Sequence, residues 1–259
     1  MFEKYFNKSF EMIEFPHFVP KEELEYNLEY ARRIKEEKWI PSIWKIKAEE
    51  SNPLEKEFWQ KIAKRIVSHS GLILEICAGP AGGTMPAVLS EDYNAKIMIS
   101  DLCPTVVSEW KKFFDGIEEP PKNVEYAAFN SCDIPFKNEC LDIVTGYDAV
   151  INVEGDRVKA LSEIYRVLKP GGLFVMNDCA LDKDFINSMD MDIKKTLTEC
   201  SPNIFNDYHD ELEKLGFSVE TVSGHKWSNK NDESTLAEFT RSLGLEELIF
   251  NNFTKFCTK

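Results

Sequence analysis

Two acidic residues stand where short apolar runs end, and a carboxylate there can do specific chemistry. Glu75 lies at the end of the run that starts at Leu72, and Asp101 closes the run 95–101. A carboxylate at such a strand end accepts hydrogen bonds from ribose hydroxyls, whereas it would repel a pyrophosphate. The two acids therefore predict a ligand with ribose and with amine or positively charged groups. The alternative for Asp101 is to cap the helix that Pro104 opens.

A turn of small residues follows the first of these runs. Gly79, Gly82 and Gly83 lie between the run and a segment from Thr84 that can begin a helix. Glycine has no Cβ and tolerates positive φ, so the backbone can approach a ligand closely at a helix N-terminus. Cys77 stands where the dinucleotide pattern G-x-G-x-x-G would require glycine, and the sequence has no G-x-x-x-x-G-K-[ST] phosphate loop.

Apolar runs and helical spacing alternate along the rest of the chain, which indicates an α/β protein with a doubly wound, mostly parallel sheet. Strands are predicted at 95–101, 123–128, 141–147, 173–176 and 217–222, and 253–258 is a candidate closing strand. Apolar residues spaced three and four apart predict a helix over 158–168, which ends at Pro170 and two glycines.

Those motifs resemble the class I S-adenosylmethionine-dependent methyltransferases, whose first motif reads acid-x-Gly-x-Gly-x-Gly after an apolar strand. Glu75 matches the acid and Gly79 the central glycine, while Cys77 and Ala81 replace the outer glycines. The stretch 163–172, EIYRVLKPGG, resembles the turn before the family's fifth strand. The resemblance covers about 72–178 and implies a Rossmann-like sheet of seven strands, the last one antiparallel.

The resemblance also implies which residues bind the cofactor S-adenosylmethionine. Asp101 would take the ribose, Asp133 the exocyclic amine of adenine, and Ile134 the adenine ring. The alternative for Asp133 is a surface turn before Pro135. The complete set of expected cofactor-binding residues is Glu75, Ala78, Gly79, Gly82, Asp101, Leu102, Asp133, Ile134 and Tyr147.

Methyl transfer demands in-line positioning of acceptor and methyl group, and a base only where the acceptor loses a proton. Tyr147, Asp148 and His209 are the candidate catalytic residues, because the first two lie at the carboxyl end of the fourth strand and the third lies on the helix predicted at 205–215, after the insertion. Asn177, Asp178 and Tyr208 are further candidates. Each has a simpler role available: Tyr147 can stack beside the cofactor, and Asp148 can cap a loop.

Asp148, Asn177 and Asp178 also resemble the metal site of catechol O-methyltransferase, which uses two aspartates and one asparagine at these strand ends. Such oxygen ligands suit magnesium. The order at the fifth strand is reversed here, and the rest of the chain does not resemble that enzyme. The sequence therefore predicts no metal.

Residues 1–70 precede the cofactor domain at 71–259, which carries an insertion near 180–206. Six aromatic residues fall in the first twenty positions: Phe2, Tyr5, Phe6, Phe10, Phe15 and Phe18. Helical spacing from Lys21 onward predicts an N-terminal helical cap. The rings also suit a lid that lines the acceptor pocket, and the two roles are compatible.

Composition narrows the function. A net charge of −14 argues against nucleic-acid and anionic-membrane partners. Seven cysteines without a C-x-x-C pair, and no signal peptide or membrane-spanning run, indicate a cytoplasmic protein. The expected function is methylation of a small-molecule acceptor. A non-catalytic S-adenosylmethionine-binding sensor or enzyme partner is the first alternative, and a nicotinamide oxidoreductase the second. The acceptor and the oligomeric state stay open.

Overall fold

A nine-stranded sheet organises the chain in this computed structural model, which describes residues 6–7, 12–14, 32–38, 40, 53–153, 156–230 and 235–259. The strands are β1 (Phe6–Asn7), β2 (Met12–Glu14), β3 (Leu72–Glu75), β4 (Lys96–Asp101), β5 (Val124–Ala128), β6 (Leu141–Tyr147), β7 (Leu168–Leu181), β8 (Ser218–Ser228) and β9 (Ile249–Thr258). Their spatial order is β1-β2-β5-β4-β3-β6-β7-β9-β8.

Strands β5, β4, β3, β6 and β7 are mutually parallel, and β9 runs antiparallel between β7 and β8. The chain order reverses at β3, because β4 lies on one side of it and β6 on the other. The carboxyl ends of β3, β4 and β6 therefore form a crevice at a topological switch point, where open α/β sheets bind ligands. The predicted α/β fold with an antiparallel last strand is confirmed. Strands β1 and β2 extend the sheet beyond β5.

Helices cover both faces of the sheet, as the predicted double winding requires. They are α1 (Pro53–His69), α2 (Met85–Glu91), α3 (Pro104–Asp115), α4 (Ala149–Asn152), α5 (Arg157–Val167), α6 (Lys183–Ser188), α7 (Met191–Cys200), α8 (His209–Leu215) and α9 (Thr235–Ser242), with a 3-10 turn at Pro202–Phe205. Residues 32–36 are also helical. No helix within the described ranges is long and apolar enough to cross a bilayer.

The two faces carry separate hydrophobic clusters. One joins α5 and α8 to the sheet through residues such as Leu161, Ile164 and Leu212. The other joins α1, α2 and α3 through residues such as Ile66 and Val88, and it includes the buried Ile34 and Ile40 from the N-terminal region. Strands buried on both faces have near-continuous apolar sequences, which explains why the runs were readable from the sequence.

Strand β7 is fourteen residues long, far longer than the predicted 173–176. It continues because β9 pairs with it from Leu173 to Leu181. A third cluster forms on this extension, where Leu197, Ile204 and Phe250 pack together. The segment 180–206 is therefore built mostly of α6, α7 and the 3-10 turn.

The division into a cap at 1–70 and a domain at 71–259 stays a prediction, since many residues of 1–52 lie outside the described ranges.

The turn after β3 generates a stability prediction. Gly83 has a φ of +56°, and a Cβ there would overlap the carboxylate of Glu75. Gly171 has a φ of +76° with nothing within 4 Å of a Cβ, which makes it a matched control. Gly171→Ala should cost about 1 kcal/mol from left-handed strain alone. Gly83→Ala should cost about 1–3 kcal/mol more, because it also overpacks the site. Urea unfolding of both variants measures the difference, and equal losses would contradict the overlap.

Candidate functional site

A cavity of about 480 Å³ opens at the carboxyl edge of the sheet, above the switch point. Its walls are residues 77–81 of the turn after β3, 101–103 after β4, 130–131 after β5, and 147–148 with 152–153 after β6. The volume lies in the range of small-molecule and cofactor sites. Four strand ends thus contribute to one cavity.

Glu75 lies beneath the turn instead of in the cavity wall. Its side chain is fully buried, and its carboxylate accepts hydrogen bonds from the Thr84 N–H at 3.2 Å, from the Thr84 hydroxyl, and from the Thr145 hydroxyl at 2.7 Å. These contacts tie β3 to β6 and to the start of α2. The structure therefore gives Glu75 a role in shaping the turn, and its direct contact with a cofactor stays a prediction.

The turn itself is held by side chains from neighbouring elements. The indole N–H of Trp110 donates to the Gly79 carbonyl at 2.8 Å. A Cβ on Gly82 would lie 2.6 Å from the Trp110 ring, which accounts for glycine there. Cys77 has a φ of +50°, in the left-handed region that favours glycine. Trp110 was missed in the sequence, where its only signal was an aromatic residue on the inner face of a predicted helix.

Asp101 is half-buried at the cavity wall, where the resemblance predicts the ribose site. One carboxylate oxygen accepts from the Gly79 N–H and the other from the Cys103 N–H, both at 2.9 Å. Burial raises the pKa of Asp101, against the effect of these backbone donors. A carboxylate has about four acceptor positions, so these two bonds do not fill them. Ala78, Gly79 and Leu102 line the same cavity, whereas the buried Gly82 does not.

The segment after β5 places Asn130 and Ser131 in the cavity wall. Asp133 and Ile134, which were predicted to bind adenine, do not line the cavity. Asp133 is exposed, and the side chain of Ile134 is buried in the core. The Ile134 N–H donates to Glu163 at 2.9 Å, and its carbonyl accepts from Arg166 at 2.7 Å. The structure therefore does not bring Asp133 and Ile134 to the cavity.

Tyr147 and Asp148 line the opposite end of the cavity, after β6. The rings of Tyr147 and Trp59 have centroids 5.3 Å apart. Asp148 has a φ of +48° at the start of α4, and its N–H donates to the Asn177 carbonyl at 2.8 Å. The structure thus brings these two predicted catalytic residues together. Trp59 was missed, because it belongs to none of the motifs in the sequence.

Asp178 lies next to Asp148 but is almost completely buried. Its carboxyl accepts from the Ile151 N–H and from the Cys179 N–H, each at 3.0 Å. Burial, with the charge of Asp148 as a second cause, raises the pKa of Asp178 to about 8. The neutral form of Asp178 is therefore favoured near neutral pH.

The catechol-like ligand set is not assembled. The Asn177 amide donates to the Thr254 hydroxyl at 2.7 Å, whereas Asp178 bonds to α4, because adjacent side chains in a strand point to opposite faces. Asp148, Asp178 and Cys179 instead have ligand atoms within 4.8 Å of one another. Burial raises the pKa of the Cys179 thiol far above neutral, which disfavours the thiolate that a metal needs. A metal-free site stays the prediction.

His209 lies outside this cavity. It lines a second one of about 630 Å³, together with Lys255, Phe253 and residues 180–183, and the two cavities share no lining residue. Its Nε2 lies 3.5 Å from Glu213. The neighbouring Tyr208 is buried, and burial raises its pKa to about 12. The structure therefore does not bring His209 to Tyr147 and Asp148.

Asp178 generates a pH prediction. Its folded pKa of about 8 exceeds the ordinary value of 3.8, so its contribution to stability is full below about pH 4 and is lost as pH rises through about 8. Asp178→Asn cannot titrate, so its deficit in unfolding free energy should be largest near pH 5 and should shrink toward pH 9. Urea unfolding at both pH values measures this, with the exposed Asp133→Asn as control. A deficit that grows with pH would contradict it.

Comparisons with known proteins agree with the geometry. Residues 75–176 match the family described as "Methyltransferase domain". Demethylmenaquinone methyltransferase of Lactococcus lactis subsp. lactis (strain IL1403) is 33% identical over 122 residues, covering 46% of this chain and 47% of that protein. The chain therefore spans about half the length of this curated relative.

Two solved structures are similar in fold. The YcgJ protein of Bacillus subtilis has a TM-score of 0.56 at 16% identity, over 78% of this chain and 98% of that one. Phosphoethanolamine N-methyltransferase 2 of Haemonchus contortus, solved in complex with S-adenosyl-L-methionine, has a TM-score of 0.52 at 17% identity, over 77% and 52%. These matches show that residues 75–176 carry a methyltransferase domain, and the strand order, the turn after β3 and the acid at the end of β4 agree with it.

Proposed function

We propose that the protein transfers a methyl group from S-adenosylmethionine to a small-molecule acceptor. The observation that carries this is the single cavity in which Asp101, the turn 77–81 and Tyr147 meet at the switch point of the sheet. When bound, the cofactor supplies an activated methyl group on its sulfonium. The protein then has to bind and orient the acceptor and to exclude water from the cavity. The relatives are enzymes, so a non-catalytic binding protein is not favoured.

The wall residues fit such a cofactor in chemistry as well as volume. Asp101 retains acceptor positions for ribose hydroxyls, and its orientation is fixed by the N–H groups of Gly79 and Cys103. Asn130 and Ser131 offer amide and hydroxyl groups for the adenine, in place of Asp133 and Ile134. The carboxylate of Asp148 favours a cationic group at the other end.

Proton removal, where the acceptor requires it, belongs to Asp148 or Tyr147 in this proposal. Both line the cavity, whereas Asp178 is protonated near neutral pH and bonded to α4. His209 is left out because it faces the second cavity.

A cytoplasmic location is supported by seven free thiols, which suit a reducing compartment.

Asp101 provides the direct test of the cofactor. Asp101→Ala removes two charge-assisted hydrogen bonds to the ribose and should weaken S-adenosylhomocysteine binding by about 2–4 kcal/mol. Asp133→Ala, at an exposed position outside the cavity, should leave affinity within about twofold. Calorimetry on both variants decides. Wild-type affinity in Asp101→Ala would rule out the ribose assignment, and a large loss in Asp133→Ala would restore that residue to the adenine site.

The N-terminal region is proposed as a lid as well as a cap. Strand β2 pairs with β5 at Ala127 and Ala128, next to the segment that reaches the cavity at Asn130. Trp59 of α1 contacts Tyr147 at the cavity wall. The aromatic residues of the first twenty positions lie outside the described residues except Phe6. Their place in the acceptor pocket is supported by this proximity and by the low rotamer cost of aromatic walls.

Deleting residues 1–20 tests the lid. The truncated protein should keep S-adenosylhomocysteine affinity within a few-fold, because the cofactor contacts come from other residues, and should lose methyl transfer because the acceptor is no longer held. Calorimetry measures the first, and incorporation of labelled methyl groups into a small-molecule cell extract measures the second. A folded truncated protein that transfers methyl groups at the full-length rate would mean that the segment is only a structural cap.

A further inference from the structure

The two ends of the cofactor cavity differ in chemistry. Asp101, Asn130 and Ser131 give the β4–β5 end hydrogen-bonding groups suited to ribose and a neutral base. Tyr147 and Asp148 give the β6 end an aromatic ring and a carboxylate. S-adenosylmethionine carries its positive charges on the side of the ribose away from adenine. A ring face and a carboxylate both attract a cation, so this charge is most stable at the β6 end.

The ring of Tyr147 is held in place from outside the cavity. Trp59 of α1 stands 5.3 Å from it, centroid to centroid, with the ring planes tilted by 59°. Both side chains are half-buried, and Trp59 is not among the residues that line the cavity. A tilted aromatic contact of this kind fixes the orientation of the inner ring. Trp59 is therefore a positioning residue that acts through Tyr147.

Two carboxyl groups, those of Asp148 and Asp178, lie close together at the β6 end. Asp178 is buried behind Asp148, and the N–H groups of Ile151 and Cys179 bind it in place. Burial raises the pKa of Asp178 and favours its neutral form, so Asp148, which lines the cavity, is the carboxylate beside the ring. One carboxylate and one ring face make a cation site without the repulsion of two ionised acids.

We propose that Tyr147, oriented by Trp59, recognises the positive charge of the sulfonium, so that the site holds S-adenosylmethionine more tightly than S-adenosylhomocysteine. This inference rests on the proposed function. The sulfonium interacts with the quadrupole of the ring, whereas the neutral thioether left after transfer keeps only apolar contact. The same ring therefore helps to bind the donor and to release the product.

Binding of charged and neutral ligands to matched variants tests this. Calorimetry gives the dissociation constants of S-adenosylmethionine, of sinefungin, which carries an ammonium in place of the sulfonium, and of S-adenosylhomocysteine. Tyr147→Leu should weaken the two cationic ligands about three- to thirtyfold and leave the neutral one within about twofold. Tyr147→Phe keeps the ring and should keep the ratio. Trp59→Leu should shift the ratio in the same direction as Tyr147→Leu, but less.

Several outcomes would overturn the inference. Equal losses for all three ligands in Tyr147→Leu would mean that the ring only fills space. A loss in Tyr147→Phe as large as in Tyr147→Leu would assign the effect to the hydroxyl. If Tyr147→Leu fails to fold by circular dichroism, Tyr147→Met and Trp59→Leu carry the same comparison of ligands. A folded wild-type protein that binds none of the ligands would overturn the proposed function and this inference with it, whereas unchanged ratios in every variant would overturn the inference alone.

Discussion

The buried carboxylate of Glu75 is the constraint on which the cavity depends. It lies at the end of β3 without access to water and accepts from Thr84 at the start of α2 and from Thr145 in β6. Hydrogen bonds to a charged group each contribute about 1.5–3 kcal/mol, and a buried carboxylate without them would be strongly unfavourable. These bonds fix β3, β6 and the start of α2 around the Glu75 carboxylate. Gly83 follows from this, because any side chain at that position would take the space of the carboxylate.

The turn above Glu75 is held by hydrogen bonds within the protein. Its Ala78 N–H donates to the Ser100 carbonyl, its Gly79 N–H to Asp101, and its Gly79 carbonyl accepts from Trp110. A preset turn loses little conformational freedom on binding, which favours affinity. Cys77 accepts a left-handed backbone within this frame, where the resembling family has glycine. At this departure from the family motif, a non-glycine residue therefore takes the left-handed backbone that favours glycine.

The fold and the cofactor edge were predictable because they follow from periodicity and strand ends. The runs that became β3, β4 and β6 are largely apolar, and Asp101 and Tyr147 close the latter two. The alternation of side chains along β7 was also available from the sequence. It places Asn177 and Asp178 on opposite faces, in agreement with their separate hydrogen-bond partners, Thr254 and Ile151.

Other parts depended on information that the sequence does not carry. Strand β5 ends at Ala128, so the first residues past the edge are 129–131, and Asp133 lies a turn too far along. A motif match cannot give the residue at which a strand ends to that accuracy. His209 was misplaced for a different reason. The pairing of β9 with β7 lengthens the sheet past the cavity, and α8 then covers a separate cavity.

The charge at the β6 end follows from the same geometry. Two carboxyl groups lie together there, and only one of them faces the cavity. Had both been solvated, both would ionise and repel each other. Burying Asp178 beneath α4 makes its neutral form the stable one, so it does not repel Asp148. In the proposed reaction the bound cofactor loses its positive charge on transfer. Asp148 and the ring of Tyr147 line that end of the cavity, and together they stabilise the cationic donor without holding the neutral product as strongly.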